Sequence, residues 1–147
     1  MILAGWSHGG WAVMELLSAG PTARQVGDLR VATPLAAQKP AAVVLYYPYC
    51  GLLNAAKRNP KWAFRGQLLL VTAELDTIGP ARKCLPVIKQ AMDDAPSIRD
   101  VDFPGMTHAF DEETQSPDSK FVYNRDAAAK SEQLFSDFIA QQVARLR

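Results

Sequence analysis

The chain has 147 residues, of which 48% are hydrophobic, so its length suits a single domain with a sizeable core. Its 16 basic and 15 acidic side chains leave a formal net charge of +1, without the basic stripe that nucleic-acid binding needs. The sequence contains neither the apolar run of roughly 18 residues that a membrane helix requires nor the pattern of a signal peptide. We therefore expect one domain over residues 1–147, soluble and cytoplasmic as written, with no nucleic-acid or membrane partner.

The first predicted strand and helix flank a serine. Residues 2–4 suit a short buried strand, and the sequence Gly-Trp-Ser-His-Gly-Gly at positions 5–10 leads into a helix that ends near residue 20. Such a G-x-S-x-G turn is typical of a nucleophile elbow, in which a strained backbone exposes the serine hydroxyl and strand and helix pass very close. Gly5 and Gly9 are predicted to supply the positions that need a residue without Cβ, and Gly10 is predicted to extend the close packing. The alternative is an ordinary glycine-rich turn with Ser7 facing solvent.

Beyond this turn, strands alternate with helices. Residues 20–39 read as a long connection with at most one helical turn, and the apolar run 41–47 reads as a strand buried on both faces. Further strands are predicted over residues 67–73 and 97–103, with a helix over about 85–94 between them. This alternation predicts an α/β fold with a mainly parallel sheet flanked by helices.

Two other stretches complete the chain. Residues 49–66 are irregular and are expected to lie over the top edge of the sheet, with solvated basic side chains at Lys57, Arg58, Lys61 and Arg65. A polar loop over residues 111–120 leads to the last helix. The predicted inward stripe of this helix consists of Leu134, Phe135, Phe138, Ile139, Val143 and Leu146.

Three predicted strand ends carry side chains suited to nucleophilic catalysis. Ser7, Asp76 and His108 each follow a strand, and catalytic groups in parallel sheets collect at the carboxyl ends of strands. The order serine, acid, histidine occurs in one class of serine hydrolases. The chain has two histidines. Because His8 adjoins the serine and is expected to turn its backbone amide toward the reaction, His108 is the predicted base.

Other acidic residues compete with Asp76 for the role of the acid. Glu74 lies nearer the end of the strand, where its side chain is expected to point into a neighbouring layer. Asp102 and Asp111 flank the loop that carries His108. We predict that Asp76 is the acid, and that it forms the catalytic set together with Ser7 and His108.

Four segments resemble the dienelactone hydrolase family of α/β-hydrolases: Gly5 to Gly10, Tyr47-Pro48-Tyr49-Cys50, Glu74-Leu75-Asp76, and Phe103-Pro104-Gly105-Met106-Thr107-His108-Ala109-Phe110-Asp111. The resemblance spans nearly the whole chain and is most specific around the histidine. It implies an α/β-hydrolase fold and hydrolysis of a small-molecule ester or lactone through an acyl-enzyme, without a cofactor or a metal. Dienelactone hydrolase itself carries a cysteine nucleophile at the position of Ser7, so the resemblance is to its serine-bearing relatives.

The resemblance also implies that strands found upstream in the family are lacking here. With them goes the loop that supplies one of the two oxyanion-hole amides, which leaves the backbone amide of His8 as the predicted donor. An edge of the strand over residues 2–4 would then be unpaired, and we expect self-association through it. The alternative function is accordingly an impaired or inactive hydrolase fragment that acts as a binding or assembly module.

Two cysteines, Cys50 and Cys84, are expected near one rim of the sheet. A disulfide between them is geometrically possible, and two free buried thiols are the alternative. The family resemblance implies that relatives with cysteines after these strands are often exported. A periplasmic or secreted location of a full-length parent protein is therefore the alternative to the cytoplasm. Neither a C-x-x-C motif nor a zinc-type spacing occurs, which argues against metal or redox catalysis.

Overall fold

The structure is a computed structural model that describes residues 1–19, 25–26, 29–30, 40–51, 53–54, 56, 61–78, 83–93 and 97–145. Its described strands, in chain order, are β1 Ile2–Trp6, β2 Gln25–Val26, β3 Leu29–Arg30, β4 Ala42–Tyr46, β5 Gln67–Ala73 and β6 Ile98–Phe103. Its described helices are α1 His8–Ser18, α2 Cys84–Ala91 and α3 Arg125–Arg145. The predicted helix end near Gly20 and the predicted core residue Leu146 lie outside the described residues.

The long strands form one parallel sheet in the order β1-β4-β5-β6. Every residue of β4 is buried, and only the first residue of β5 is not, because these central strands are covered on both faces. The register pairs Gly5 with Leu45 and Trp6 with Tyr46, so β1 and β4 end side by side. The loops that follow the four strands therefore meet at one edge of the sheet, as the α/β prediction requires.

Each face of the sheet has its own apolar core. On one face, α1 and α2 pack Val13, Met14 and Ile88 against side chains of β4 and β5. On the other face, α3 packs Ala127 and Phe138 against the alternate side chains of the same strands. Successive side chains of a strand point to opposite faces, so the uninterrupted apolar runs of β4 and β5 serve both layers. The protein thus has a helix, sheet, helix layering.

The described part of the long connection contains two short strands that were not predicted. The described residues within 20–39 form an antiparallel hairpin, in which β2 pairs with β3 through Gln25 opposite Arg30 and Val26 opposite Leu29. No helical turn occurs in the described part of this connection. Strands of two residues carry too little alternation to be recognised in a sequence.

The stretch over residues 49–66 also packs more deeply than predicted. Trp62 and Phe64 are buried in the core beneath α1 and α2, and the Trp62 indole donates to Ser18 Oγ at 2.9 Å. Arg65 was expected to be only solvated, but it pairs with Asp93 at 2.7 Å and donates to the carbonyls of Trp62 and Phe64. Arg65 has these partners because its guanidinium bonds to the backbone of the segment whose two aromatic rings enter the core. Lys57 and Arg58 lie outside the described residues.

The inward stripe of α3 is only partly as predicted. Phe138 is buried, and Leu134, Phe135 and Ile139 pack partly buried against the sheet. Val143 is 41% exposed, which contradicts its predicted inward position. The face that meets the sheet is instead completed by smaller or polar side chains, Ala127, Ser131 and Gln142. Among the described residues, no helix has both the length and the apolar character needed to cross a bilayer.

Candidate active site

Ser7 occupies the turn between β1 and α1. Its φ of 49° lies in the left-handed region, which a residue with a Cβ rarely adopts. Two backbone hydrogen bonds hold this conformation: the Ser7 N–H donates to the Tyr46 carbonyl at 2.9 Å, and the Ser7 carbonyl accepts from the Trp11 N–H at 3.0 Å. The sharp turn aims the Ser7 hydroxyl out of the end of the sheet, beside the first turn of α1.

Two glycines permit this close approach: Gly5, as predicted, and Gly10, which was expected to extend the close packing. A Cβ on Gly5 would lie 2.4 Å from the carbonyl carbon and oxygen of Gly9, and a Cβ on Gly10 would lie 2.9 Å from the Pro48 Cβ. A Cβ on Gly9 would meet nothing within 4 Å. The prediction that Gly9 must lack a side chain is therefore wrong, because Gly9 contributes its backbone to the contact and faces outward itself.

The side chain of Asp76 reaches the site from the turn after β5. Its N–H donates to the Ala73 carbonyl at 3.1 Å, and its Oδ1 accepts from the Ile78 N–H at 2.8 Å, which fixes the carboxylate. Its second oxygen, Oδ2, lies 2.7 Å from Nδ1 of His108. The Asp76 side chain is only 2% exposed, so water does not compete strongly for this bond.

His108 connects the acid to the serine. Its Nε2 lies 2.8 Å from Ser7 Oγ, and its side chain is 7% exposed. Because an ionised carboxylate only accepts hydrogen bonds, Nδ1 carries the proton toward Asp76 and Nε2 accepts from the Ser7 hydroxyl. This arrangement allows Nε2 to take up the serine proton while Asp76 stabilises the resulting positive charge.

The three competing acids have other partners. Glu74 does not point into a neighbouring layer; its Oε2 accepts from the Gly105 N–H at 2.8 Å and so braces the turn ahead of the histidine loop. Asp102 accepts from the Thr72 hydroxyl at 2.7 Å. Asp111 accepts from Tyr47 Oη and from Trp6 Nε1. Among the described residues, only Asp76 has a carboxylate bonded to His108.

The backbone amide of His8 lies at the start of α1, directly after Ser7. The first N–H groups of a helix have no acceptor within the helix, and the positive end of the helix dipole lies there. These amides therefore suit a developing negative charge near Ser7. The His8 ring is turned aside, 6.1 Å from the Trp11 ring between centroids.

Two aromatic rings beside His108 were not assigned to the site from the sequence. The centroid of the Tyr47 ring is 4.7 Å from that of the imidazole, and the centroid of Phe121 is 5.1 Å from it. Tyr47 directly follows β4, and this strand-end position, shared with Asp76 and His108, was the available clue. Phe121 lies in a loop, and nothing in the sequence distinguishes it.

A disulfide lies near this end of the sheet. It joins Cys50, in the loop after β4, to Cys84, the first residue of α2, across a Cα separation of 5.3 Å. Both residues are fully buried in the core beneath α1 and α2. Within the described part of the chain, no group of three or more histidine, cysteine or acidic side chains could hold a metal ion.

The model of one protein family, described as the dienelactone hydrolase family, matches residues 29–143. The chain belongs to the dienelactone hydrolase family. The matched part includes Asp76 and His108, and Ser7 lies ahead of it. No curated protein matches the chain.

Several solved structures share this family member's fold. Esterase 2 of Thermogutta terrifontis matches 95% of the chain at 15% identity with a TM-score of 0.62. The carboxylesterase Cest-2923 of Lactobacillus plantarum matches 96% at 20% identity with a TM-score of 0.60. The α/β-hydrolase MGS-M1, from a Medee basin deep-sea metagenome library, matches 97% at 15% identity with a TM-score of 0.56.

These neighbours identify the α/β-hydrolase fold, which confirms the predicted fold class. The chain spans little more than half of each neighbour: 53% of the esterase, 58% of the carboxylesterase and 54% of the metagenomic hydrolase. The layered arrangement of β1, β4, β5 and β6 with its helices thus corresponds to part of their fold.

Proposed function

We propose that this member of the dienelactone hydrolase family hydrolyses carboxylic esters or lactones, with Ser7 as nucleophile, His108 as general base and Asp76 as the orienting acid. The observation that supports this proposal is the continuous hydrogen-bond chain from Ser7 Oγ through the imidazole to Asp76, with separations of 2.8 and 2.7 Å. Family membership points to the same chemistry.

In the first half of the proposed reaction, Ser7 Oγ attacks the ester carbonyl carbon while His108 Nε2 takes the hydroxyl proton. The carbonyl electrons move to oxygen and form a tetrahedral oxyanion. When that intermediate collapses, the bond to the alcohol oxygen breaks, and His108 returns the proton to the departing alcohol. An acyl group then remains on Ser7.

In the second half, a water molecule replaces the alcohol. His108 removes a proton from the water as it attacks the acyl carbon, and a second oxyanion forms. Its collapse releases the carboxylic acid and returns the proton to Ser7 Oγ. The chain's own side chains complete both halves, so the proposal needs no cofactor.

Among the described residues, stabilisation of the oxyanion is assigned to the start of α1. The His8 amide at the start of α1 can donate one hydrogen bond to it. Removing one of two such donors in other hydrolases costs about 2.7–4 kcal/mol of activation free energy, or a factor of roughly a hundred to a thousand in rate. We therefore expect these 147 residues alone to hydrolyse model esters slowly.

A serine-directed probe tests the proposal without knowledge of the natural substrate. Esterase 2 of Thermogutta terrifontis is phosphorylated by paraoxon. The present chain should likewise gain one diethylphosphoryl group from paraoxon, and one label from a fluorophosphonate, both on Ser7. Ser7→Ala should remain unlabelled, and the control Ser136→Ala, on the exposed face of α3, should label like the wild type.

Mass spectrometry of the intact chain and of its peptides gives the answer. A folded wild-type chain that takes up neither reagent, or that takes them up equally in Ser7→Ala, would overturn the proposed role of Ser7. Paraoxon phosphorylates an activated serine and leaves ordinary surface serines unmodified, because only the activated hydroxyl has a base within hydrogen-bond distance.

One observation favours a second candidate function, an assembly or binding module without catalysis. β1 pairs with β4 alone among the described strands, and Ala4 and Trp6 are exposed although they belong to an apolar strand. A strand edge of this kind pairs readily with another chain. The same probe separates the two candidates, since a purely structural module has no reason to activate Ser7.

A further inference from the structure

The two hydrogen bonds of His108 do not by themselves fix the tilt of its imidazole ring. They hold the imidazole at Nδ1 and Nε2, the two ring atoms that bond to Asp76 and Ser7. A tilt of the ring about the line through these two atoms changes neither donor–acceptor distance much, but it displaces Cγ and is limited by the bond to Cβ. What packs against the ring faces and edges restrains the tilt further.

Among the described residues, Tyr47 has the aromatic ring nearest to the imidazole. Its ring is fully buried, and its centroid lies 4.7 Å from that of His108 at an interplanar angle of 60°. Its backbone has a φ of 34°, a left-handed conformation that is costly for a bulky side chain. Strained residues of this kind cluster at functional sites, where the surrounding structure over-determines them.

The Tyr47 ring is itself held by Asp111. Tyr47 Oη donates to Asp111 Oδ1 at 2.6 Å. Burial, and next the hydrogen bond to Asp111, raise the pKa of Tyr47 well above its ordinary value, so the hydroxyl stays a neutral donor at physiological pH. A charge-assisted hydrogen bond to a carboxylate is stronger than one between neutral groups.

Asp111 also reaches the strand that carries the nucleophile. Its second oxygen, Oδ2, accepts from Trp6 Nε1 at 3.2 Å, and Trp6 directly precedes Ser7. Asp111 stands three residues after His108 in the histidine loop. This one carboxylate thus connects the end of β1, the end of β4 and the loop of the proposed base.

We propose that Tyr47 and Asp111 are positioning residues: Asp111 anchors the Tyr47 ring against His108, so that the imidazole keeps Nε2 aligned with Ser7 Oγ. This proposal rests on the proposed function, because it assigns these residues to the alignment of the same serine and histidine. Asp111 and Tyr47 transfer no proton themselves.

The test compares three variants of the whole chain. Tyr47→Phe keeps the ring and removes its anchor. Asp111→Asn replaces two acceptor oxygens by one acceptor and one donor, so it cannot accept from both Tyr47 and Trp6 through separate atoms. Tyr46→Phe is the matched control, because Tyr46 is equally buried in the preceding position but donates to the Ser131 carbonyl, at 2.7 Å.

Two readouts follow the alignment itself. The first is the rate of fluorophosphonate labelling of Ser7, which should fall about tenfold or more in Tyr47→Phe and Asp111→Asn and stay within about twofold in Tyr46→Phe. The second is the low-field proton resonance of His108 Nδ1–H bonded to Asp76. It should shift or broaden in the first two variants and not in the control.

Each result bears on the proposal. Loss of stability in all three variants, with labelling rates and resonance unchanged, would mean that Tyr47 and Asp111 serve packing alone, and the proposal would be overturned. An effect in Tyr47→Phe without one in Asp111→Asn would overturn the anchoring role of Asp111. If the wild-type chain takes up no label, the proposed function fails, and the resonance still decides whether Tyr47 and Asp111 control the position of His108.

Discussion

At the residue scale, His108 carries both proton transfers of the proposed reaction. Hydrolysis should slow as the solution is acidified, because a protonated imidazole cannot accept the Ser7 proton. His108→Ala should lower kcat by about a thousandfold or more and abolish this acid limb. The measurement is a pH–rate profile for p-nitrophenyl acetate with both proteins. An acid limb that survived the substitution would point to another base, and His8 is the remaining histidine to test.

The glycines of the elbow give a second prediction at this scale. Gly5→Ala should lower the free energy of unfolding by about 1–3 kcal/mol or more, because its Cβ would lie 2.4 Å from the Gly9 backbone, which cannot yield as a flexible side chain does. Gly9→Ala should be neutral or should stabilise α1 by about 0.5–1 kcal/mol, since its Cβ meets nothing within 4 Å.

Urea unfolding of both glycine variants measures this difference. Equal destabilisation by Gly5→Ala and Gly9→Ala would contradict the close approach at Gly5. Because both substitutions add the same methyl group within five residues, the pair controls for the chemistry of the change.

The sequence was sufficient to propose Ser7, Asp76 and His108, because each follows a recognisable strand and strand ends meet at one edge of a parallel sheet. It could not assign Tyr47 or the partners of Asp111. The contact between Tyr47 and His108 depends on a left-handed backbone at a tyrosine, which no local pattern predicts. The sequence contains the motif Gly-x-Ser-x-Gly. It does not show which glycine is indispensable, because that depends on tertiary packing.

At the scale of elements, the strands of the parallel sheet were predictable to within two residues at either end. The apolar runs over 41–47 and 67–73 correspond to β4 and β5, and the alternating stretch over 97–103 corresponds to β6. The segment with Trp62 and Phe64 was placed at the surface because charged residues surround it. Its two aromatic rings enter the core, while Lys61 and Arg65 beside them are exposed. An average of hydropathy over the whole segment does not show this difference between neighbouring residues.

The disulfide yields a prediction for the elements that it joins. It links the loop after β4 to α2 across a sequence separation of 34 residues. Closing a loop of this length restricts the unfolded chain, and the expected stabilisation is roughly 2–4 kcal/mol. Replacing both residues, Cys50→Ala with Cys84→Ala, should lower the free energy of unfolding by that amount.

Urea unfolding with and without dithiothreitol provides the control. The reductant should destabilise the wild-type chain and leave the double variant unaffected. A wild-type chain that was insensitive to the reductant under unfolding conditions would contradict a stabilising Cys50–Cys84 bond.

At the scale of the whole molecule, β1 lies at one edge of the sheet that the described strands form, and its Ala4 and Trp6 are exposed. Beside the C-terminal part of α3 runs a largely apolar groove of about 530 Å³ that includes Phe135, Ile139 and Val143. An unpaired strand edge and exposed apolar surface together favour association between chains.

We predict that these 147 residues, purified alone, self-associate and unfold with little cooperativity. Ala4→Lys should reduce association, because a lysine on an edge strand opposes pairing. Gln90→Lys, on the exposed face of α2, adds the same charge away from β1 and should have no effect. Light scattering against concentration is the measurement, and a monodisperse wild-type chain that melts in a single sharp transition would contradict the prediction.

The layering and the parallel sheet followed from the alternation of strands and helices. The sequence could not reveal the hairpin of β2 and β3 or the exposure of Val143. The hairpin strands have two residues each, too few to show an alternation. The exposure of Val143 depends on where distant parts of the chain lie, whereas periodicity within a segment describes only its own faces.

The bond between Ser7 and His108 joins residues 101 positions apart in the chain. It requires β1, β4, β5 and β6 to lie side by side in the sheet, since the loop bearing His108 follows the last of these strands. The reactivity of Ser7 therefore reports the fraction of molecules that have folded completely. Circular dichroism would register helices in a collapsed intermediate, whereas a fluorophosphonate would label only those molecules whose first and last strands had already met their neighbours.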